Sequence, residues 1–95
     1  MKILTVALVL ISTYANAEQT ELERETQLAK NAFCYVYAVS AELQESTVKA
    51  RAKDVSDWRE AQFYFGIASA NVVNLAKRFD ITEKLAASRL YLKEC

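Results

Sequence analysis

Apolar residues recur at spacings of three and four along nearly the whole chain, the mark of helices with one buried face. The clearest run is Trp58 to Phe79, where Trp58, Ala61, Phe65, Ala68, Val72, Leu75, Ala76 and Phe79 form one stripe. A second line, Tyr64, Ile67, Asn71, Asn74 and Arg78, runs beside it, and Phe63 broadens the apolar arc. A helix this widely apolar is expected to meet two neighbours, so this segment reads as the centre of a bundle. Gly66, the only glycine, falls inside it. A mid-helix glycine costs about 1 kcal/mol against alanine, and close approach of another backbone is the expected offset. Aromatic residues at helical spacing fill a core; the alternative is a ligand platform.

The segment from Glu18 to about Gln44 reads as another long helix. Its acidic start (Glu18, Glu21, Glu23, Glu25) suits the positive end of a helix dipole, and Thr20 with Glu23 resembles a capping box. Leu22, Ala29, Ala32, Phe33, Val36, Val39, Ser40 and Leu43 give a continuous face. Cys34, Tyr37 and Ala41 make a third line. Tyr35 and Tyr37 stand about 200° apart on a helix, so the two cannot share one seam. After a turn near 44–47, a helix is expected from about 48 through 79, with a bend near 55–57 as the alternative, since Asp54, Ser56 and Asp57 all suit a new cap. Asp80-Ile81-Thr82-Glu83 reads as a capping-box variant with Asp80 at the cap and Phe79 and Lys84 as a partial hydrophobic staple. A last helix follows over about 81–92.

The chain has no proline and no strand-like alternation, so the expected class is all-α: a small antiparallel three-helix bundle, or four helices if the middle one breaks near 55. The first 17 residues differ in kind. Met1-Lys2 precedes an apolar run from Ile3 to Ile11, and Ala15-Asn16-Ala17 gives an Ala-x-Ala cleavage pattern, the layout of a secretory signal peptide. The run is shorter than the roughly 20 residues of a membrane span. Residues 1–17 are therefore expected to be a cleaved leader, and 18–95 one helical domain with no stable membrane anchor, periplasmic or secreted.

Charge adds only exclusions. The chain carries 12 basic and 12 acidic side chains, which gives no reason to expect nucleic acid or an anionic membrane. The cysteines say more. Cys34 and Cys95 are the only two, and export implies an oxidising compartment. One intramolecular disulfide is expected to pin the last helix onto the first; free thiols or intermolecular bonds are the alternatives.

Candidate chemistry is sparse. There is no histidine, which removes the commonest general base and metal ligand, and paired cysteines leave no thiolate. The carboxylate pairs Glu42/Glu45, Asp54/Asp57 and Asp57/Glu60 fall in charged stretches and read as solvated faces. No catalytic residue, metal or cofactor is expected. The remaining class is a binding protein. In general plan (short, leader-bearing, helix-rich and disulfide-stapled) the chain resembles phage periplasmic lysozyme inhibitors and bacterial periplasmic immunity proteins against secreted amidases. No residue motif of either is present, so no site is carried over. The expectation is a protein that occludes an envelope or extracellular protein, with Trp58, Tyr64, Asn71, Asn74 and Tyr91 as candidate contact residues. A self-associating structural protein, such as a homodimer, and a carrier of a small apolar ligand are the alternatives.

Overall fold

A computed structural model describes the backbone from Lys2 to Cys95 and the side chains from Thr20 onward; the side chains of the expected leader, residues 1–17, lie outside the described ones, and its cleavage is an expectation the structure does not address. Four helices follow one another: α1 (Lys2–Ser40), α2 (Glu45–Asp54), α3 (Trp58–Phe79) and α4 (Glu83–Glu94). No strand occurs among the described residues. The all-α expectation holds, with four helices in place of three. The hub is α1, which packs against α2, α3 and α4, whereas α3 meets only α1 and α4. The segment expected at the centre is thus a flanking helix.

Helix ends explain most of the differences. The expected cap at Thr20 opens nothing, because α1 runs unbroken through it. Its C-terminus is a left-handed turn at Glu42 (φ 55°), where the Leu43 amide reaches back to the Ala38 carbonyl at 3.1 Å and the Glu42 amide to Val39 at 3.0 Å. This pair of bonds is a Schellman closure, usually built on glycine. The helix expected over 48–79 is broken. Val55 leaves helical geometry and turns its side chain into the core, 4% exposed, beside Leu28, Ala32 and Ala61. The Asn31 side-chain amide donates to the Asp54 carbonyl at 3.1 Å, satisfying the end of α2. Asp57 then caps α3, its Oδ1 accepting the Glu60 amide at 3.0 Å. Asp80 does not cap α4. It closes α3 in left-handed geometry (φ 52°), the Ile81 amide returning to Ala76 at 3.0 Å. The cap of α4 is Thr82, whose Oγ1 accepts the Leu85 amide at 3.1 Å. The hydrophobic staple fails with it, since Phe79 is 54% exposed.

The core is built mainly from small side chains. Ala68, Val72 and Ala76 of α3 meet Ala86 and Ala87 of α4 around Tyr37 and Ala41, while Leu28, Ala32, Val55 and Ala61 form a second cluster. Such residues let helix axes approach closely and leave the larger rings at the margins. Tyr37 is wholly buried and Tyr35 belongs to the fringe of the other cluster, as their angular separation requires. Gly66 is not a point of close approach: a Cβ there would meet nothing within 4 Å. Cys34 and Cys95 form the expected intramolecular disulfide, with Cα atoms 5.9 Å apart across a separation of 61 residues.

Candidate functional site

The largest rings of the fold gather where α1 and α3 run side by side. Tyr35, Trp58 and Phe65 make a closed aromatic trio, with centroids 5.1 Å apart for Tyr35–Trp58, 5.7 Å for Tyr35–Phe65 and 5.4 Å for Trp58–Phe65. Helical spacing places Trp58 and Phe65 on one face of α3, and the trio forms against the flank of α1 that carries Tyr35, Val36 and Val39. A groove of about 350 Å³ lies over them, bordered by Val36, Val39, Ser40, Gln62 and Ser69. It is open to solvent: Trp58 is 43% and Val39 46% exposed.

The apolar surface continues around α3. Phe63 is 70% exposed and Ile67 also faces solvent, with Gly66 and Ala70 exposed between and beside them. No Asp, Glu, Lys or Arg occurs in residues 31–41, at the end of α1, or in residues 61–76 of α3. Charge returns only at the edges. Arg24 grips Glu60 through two bonds of 3.2 and 3.3 Å and Glu21 through one of 3.1 Å. Those bonds, Glu60 first, hold the guanidinium above its already high ordinary pKa. Arg59 and Lys77 at the two ends of the exposed face make no ion pair among the described residues.

The candidate residues named from the sequence fall in three places. Trp58 belongs to the groove. Tyr64 is half-buried outside the groove, edge-on to Phe33 and Phe63 with centroids 6.2 and 5.3 Å away. Tyr91 joins α2 to α4: Arg51 Nε donates to its hydroxyl at 3.0 Å and the guanidinium lies 5.3 Å from the ring centroid. Asn71 and Asn74 border a separate cleft between α3 and α4, and the Asn71 amide donates to the Tyr37 hydroxyl at 3.2 Å. Burial, above all, raises the Tyr37 pKa, with Glu94 adding to the rise and Asn71 opposing it. Sequence reading did not single out Tyr35, Val39, Phe63 or Phe65 as surface residues; the signal for them was the absence of charge over residues 31–41 and 61–76.

Among the described residues no group of three His, Cys, Asp or Glu side chains is placed to hold a metal ion, and no helix is long and apolar enough to cross a membrane. Ser40 and Ser69 border the groove with Gln62 as their polar neighbour there. The groove offers shape and apolar area, with no acid–base pair. Comparison with family models, with curated protein sequences and with solved structures gives no match.

Proposed function

We propose that this chain is an exported binding protein, of the inhibitor or immunity type, that acts by covering part of an envelope or extracellular protein with its α1–α3 face. One observation carries the reading: an exposed aromatic and aliphatic surface around the Tyr35–Trp58–Phe65 trio, in stretches (residues 31–41 and 61–76) that carry no charged side chain. Contiguous apolar patches rimmed by polar groups mark interaction sites, and aromatic anchors supply most of the energy in such contacts. The Cys34–Cys95 bond supports an oxidising compartment, and the lack of histidine favours contact over catalysis.

Self-association is the rival use of the same face, and its rim opposes it. Arg59 and Lys77 lie in line along α3, about 27 Å apart at 1.5 Å per residue. Two copies pairing α3 antiparallel bring Arg59 against Lys77 twice; parallel pairing brings each cation against itself. A foreign partner with an apolar patch and flanking carboxylates meets no such repulsion.

The test uses the oxidised protein and its Val39→Asp and Ser69→Asp variants, both at exposed positions bordering the groove. Sedimentation at micromolar concentration should give a monomer. Affinity capture from the native envelope extract should retain one protein on the parent chain and lose it on both variants, with unchanged melting temperature. A dimer that the substitutions dissociate replaces this reading with self-association. Capture indifferent to both substitutions rules out the face.

A further inference from the structure

The cleft between α3 and α4 has a composition unlike that of the α1–α3 face. It encloses about 330 Å³ and is lined by Asn71, Asn74, Leu75, Arg78, Leu90 and Glu94. Tyr37 contributes from beneath: its ring is wholly buried and its hydroxyl accepts the Asn71 amide at 3.2 Å. Glu94 lines the same cleft, and its neighbour Cys95 is bonded to Cys34, one turn before Tyr37 on α1, which sets Glu94 toward the Asn71 end as α4 folds back along α3. Arg78 is seven residues further along α3, two turns or about 10 Å away. The cleft therefore has a cationic end and an anionic end. The two do not neutralise each other, for neither Arg78 nor Glu94 has an ion-pair partner within 4 Å among the described residues. Between them Leu75 and Leu90, both half-buried, give an apolar wall, and the exposed Asn74 offers an amide donor and acceptor.

From this juxtaposition of Arg78, Asn74 and Glu94 along one cleft we infer a binding site for a short peptide with free termini, two or three residues long. Its carboxylate meets Arg78, its ammonium meets Glu94, a central peptide group meets Asn74, and an apolar side chain lies against Leu75 and Leu90. Length selects the ligand. An extended chain covers about 3.5 Å per residue, so two or three residues span the distance between the charged ends. A free amino acid carries both charges on one carbon and cannot span it. A purely apolar ligand strips water from the guanidinium, the carboxylate and the Asn74 amide and offers no hydrogen bond in return. The site is independent of the α1–α3 face and of the role proposed for it.

The probe is the tripeptide Ala-Leu-Ala, titrated into the oxidised, nitrogen-15-labelled protein and compared with the same peptide acetylated at its N-terminus, amidated at its C-terminus, or both. The free peptide should shift the side-chain amide signals of Asn71 and Asn74 saturably, with a Kd near about 1 mM, as befits an open site. Capping either end should weaken binding about three- to fivefold, the strength of one exposed ion pair. Arg78→Gln should abolish only the penalty for amidation, and Glu94→Gln only the penalty for acetylation. Shifts that do not saturate by about 10 mM, or equal binding of free and doubly capped peptides, would overturn the proposal. The cap comparison on the unmutated protein decides the matter even where a variant folds poorly.

Discussion

Replacing Cys95 with serine tests how the domain is held together. Cys34 is 2% exposed and Cys95 lies at the surface, so the substitution leaves Cys34 as a small buried hydrophobe and breaks only the link. The bond closes a separation of 61 residues, worth about 4 kcal/mol of denatured-chain entropy. A domain of this size has a net stability of about 4–12 kcal/mol, so the loss is a third of the whole or more. Geometry adds a second, local effect. With the bond intact, α4 can leave the bundle only as a loop tethered at Asp80 and at Cys95, a closure of about 15 residues costing about 3 kcal/mol. Without it, α4 is anchored at one end, and its own packing is thin: Ala86 and Ala87 are its only fully buried residues, Leu85 is 43% exposed and Leu92 84%. Urea unfolding of Cys95→Ser should therefore show a loss of about 4 kcal/mol, the amount of the closure term, with a larger m because the denatured chain without the cross-link is more expanded. Hydrogen exchange at low denaturant should show opening of residues 84–94 rising about a hundredfold, as 3 kcal/mol implies. A global loss under about 1 kcal/mol, or α4 amides still exchanging only with global unfolding, would refute the closure reasoning.

Three further outcomes follow from single sites. Gly66→Ala should stabilise the chain by about 1 kcal/mol, because the added Cβ meets open space; a melt should rise by about 4–8 °C, and a fall would mean that a neighbour approaches after all. Asp80→Gly should also stabilise, by up to about 1 kcal/mol, since the left-handed turn at φ 52° strains a side-chain-bearing residue; urea midpoints check it. Tyr37 holds its proton above the ordinary tyrosine range, chiefly through burial. Its neutral form therefore stabilises the fold fully below about pH 10, and that contribution is lost as pH rises through the unfolded and then the folded pKa. Tyr37→Phe should flatten the alkaline fall in stability measured by urea midpoints between pH about 9 and about 11; an unchanged slope would assign the fall to other groups.

The helices and their staple were legible from the chain because both leave one-dimensional signals. Period 3.6 in the apolar residues picks out the run Trp58–Phe79 that forms α3, although the helix was expected to begin near 48, and two cysteines admit only one internal pairing. The ends of helices were less legible. Glycine is the usual flag for a left-handed closure, and this chain closes α1 on Glu42 and α3 on Asp80. Asp80 read as a cap for the helix after it, where it terminates the helix before. The break at Val55 had the same cause: Asp57 was a visible cap, but only the three-dimensional demand for an apolar residue beside Leu28 and Ala61 decides that the chain turns there. Exposure was the least legible property. Phe63 and Phe65 are two residues apart, and which faces solvent depends on where α1 lies.

That last point bears on what the large side chains are for. Among the described residues most fully buried positions are alanine, including Ala32, Ala38, Ala61, Ala68, Ala86 and Ala87, and each methyl adds only about 0.8 kcal/mol of burial. A core of that kind is thin for a short chain, and the long-range disulfide offsets the deficit. The same sequence carries Trp58, Phe63, Ile67 and Phe79, whose burial would each be worth about 1.5–3 kcal/mol, yet all four remain more than a third exposed. A chain shaped by stability alone would turn such residues inward and let the alanines face water. Leaving these side chains at the surface while stabilising the fold covalently agrees with the binding role proposed above, and Trp58, the one of the four that lines the α1–α3 groove, is the first to test.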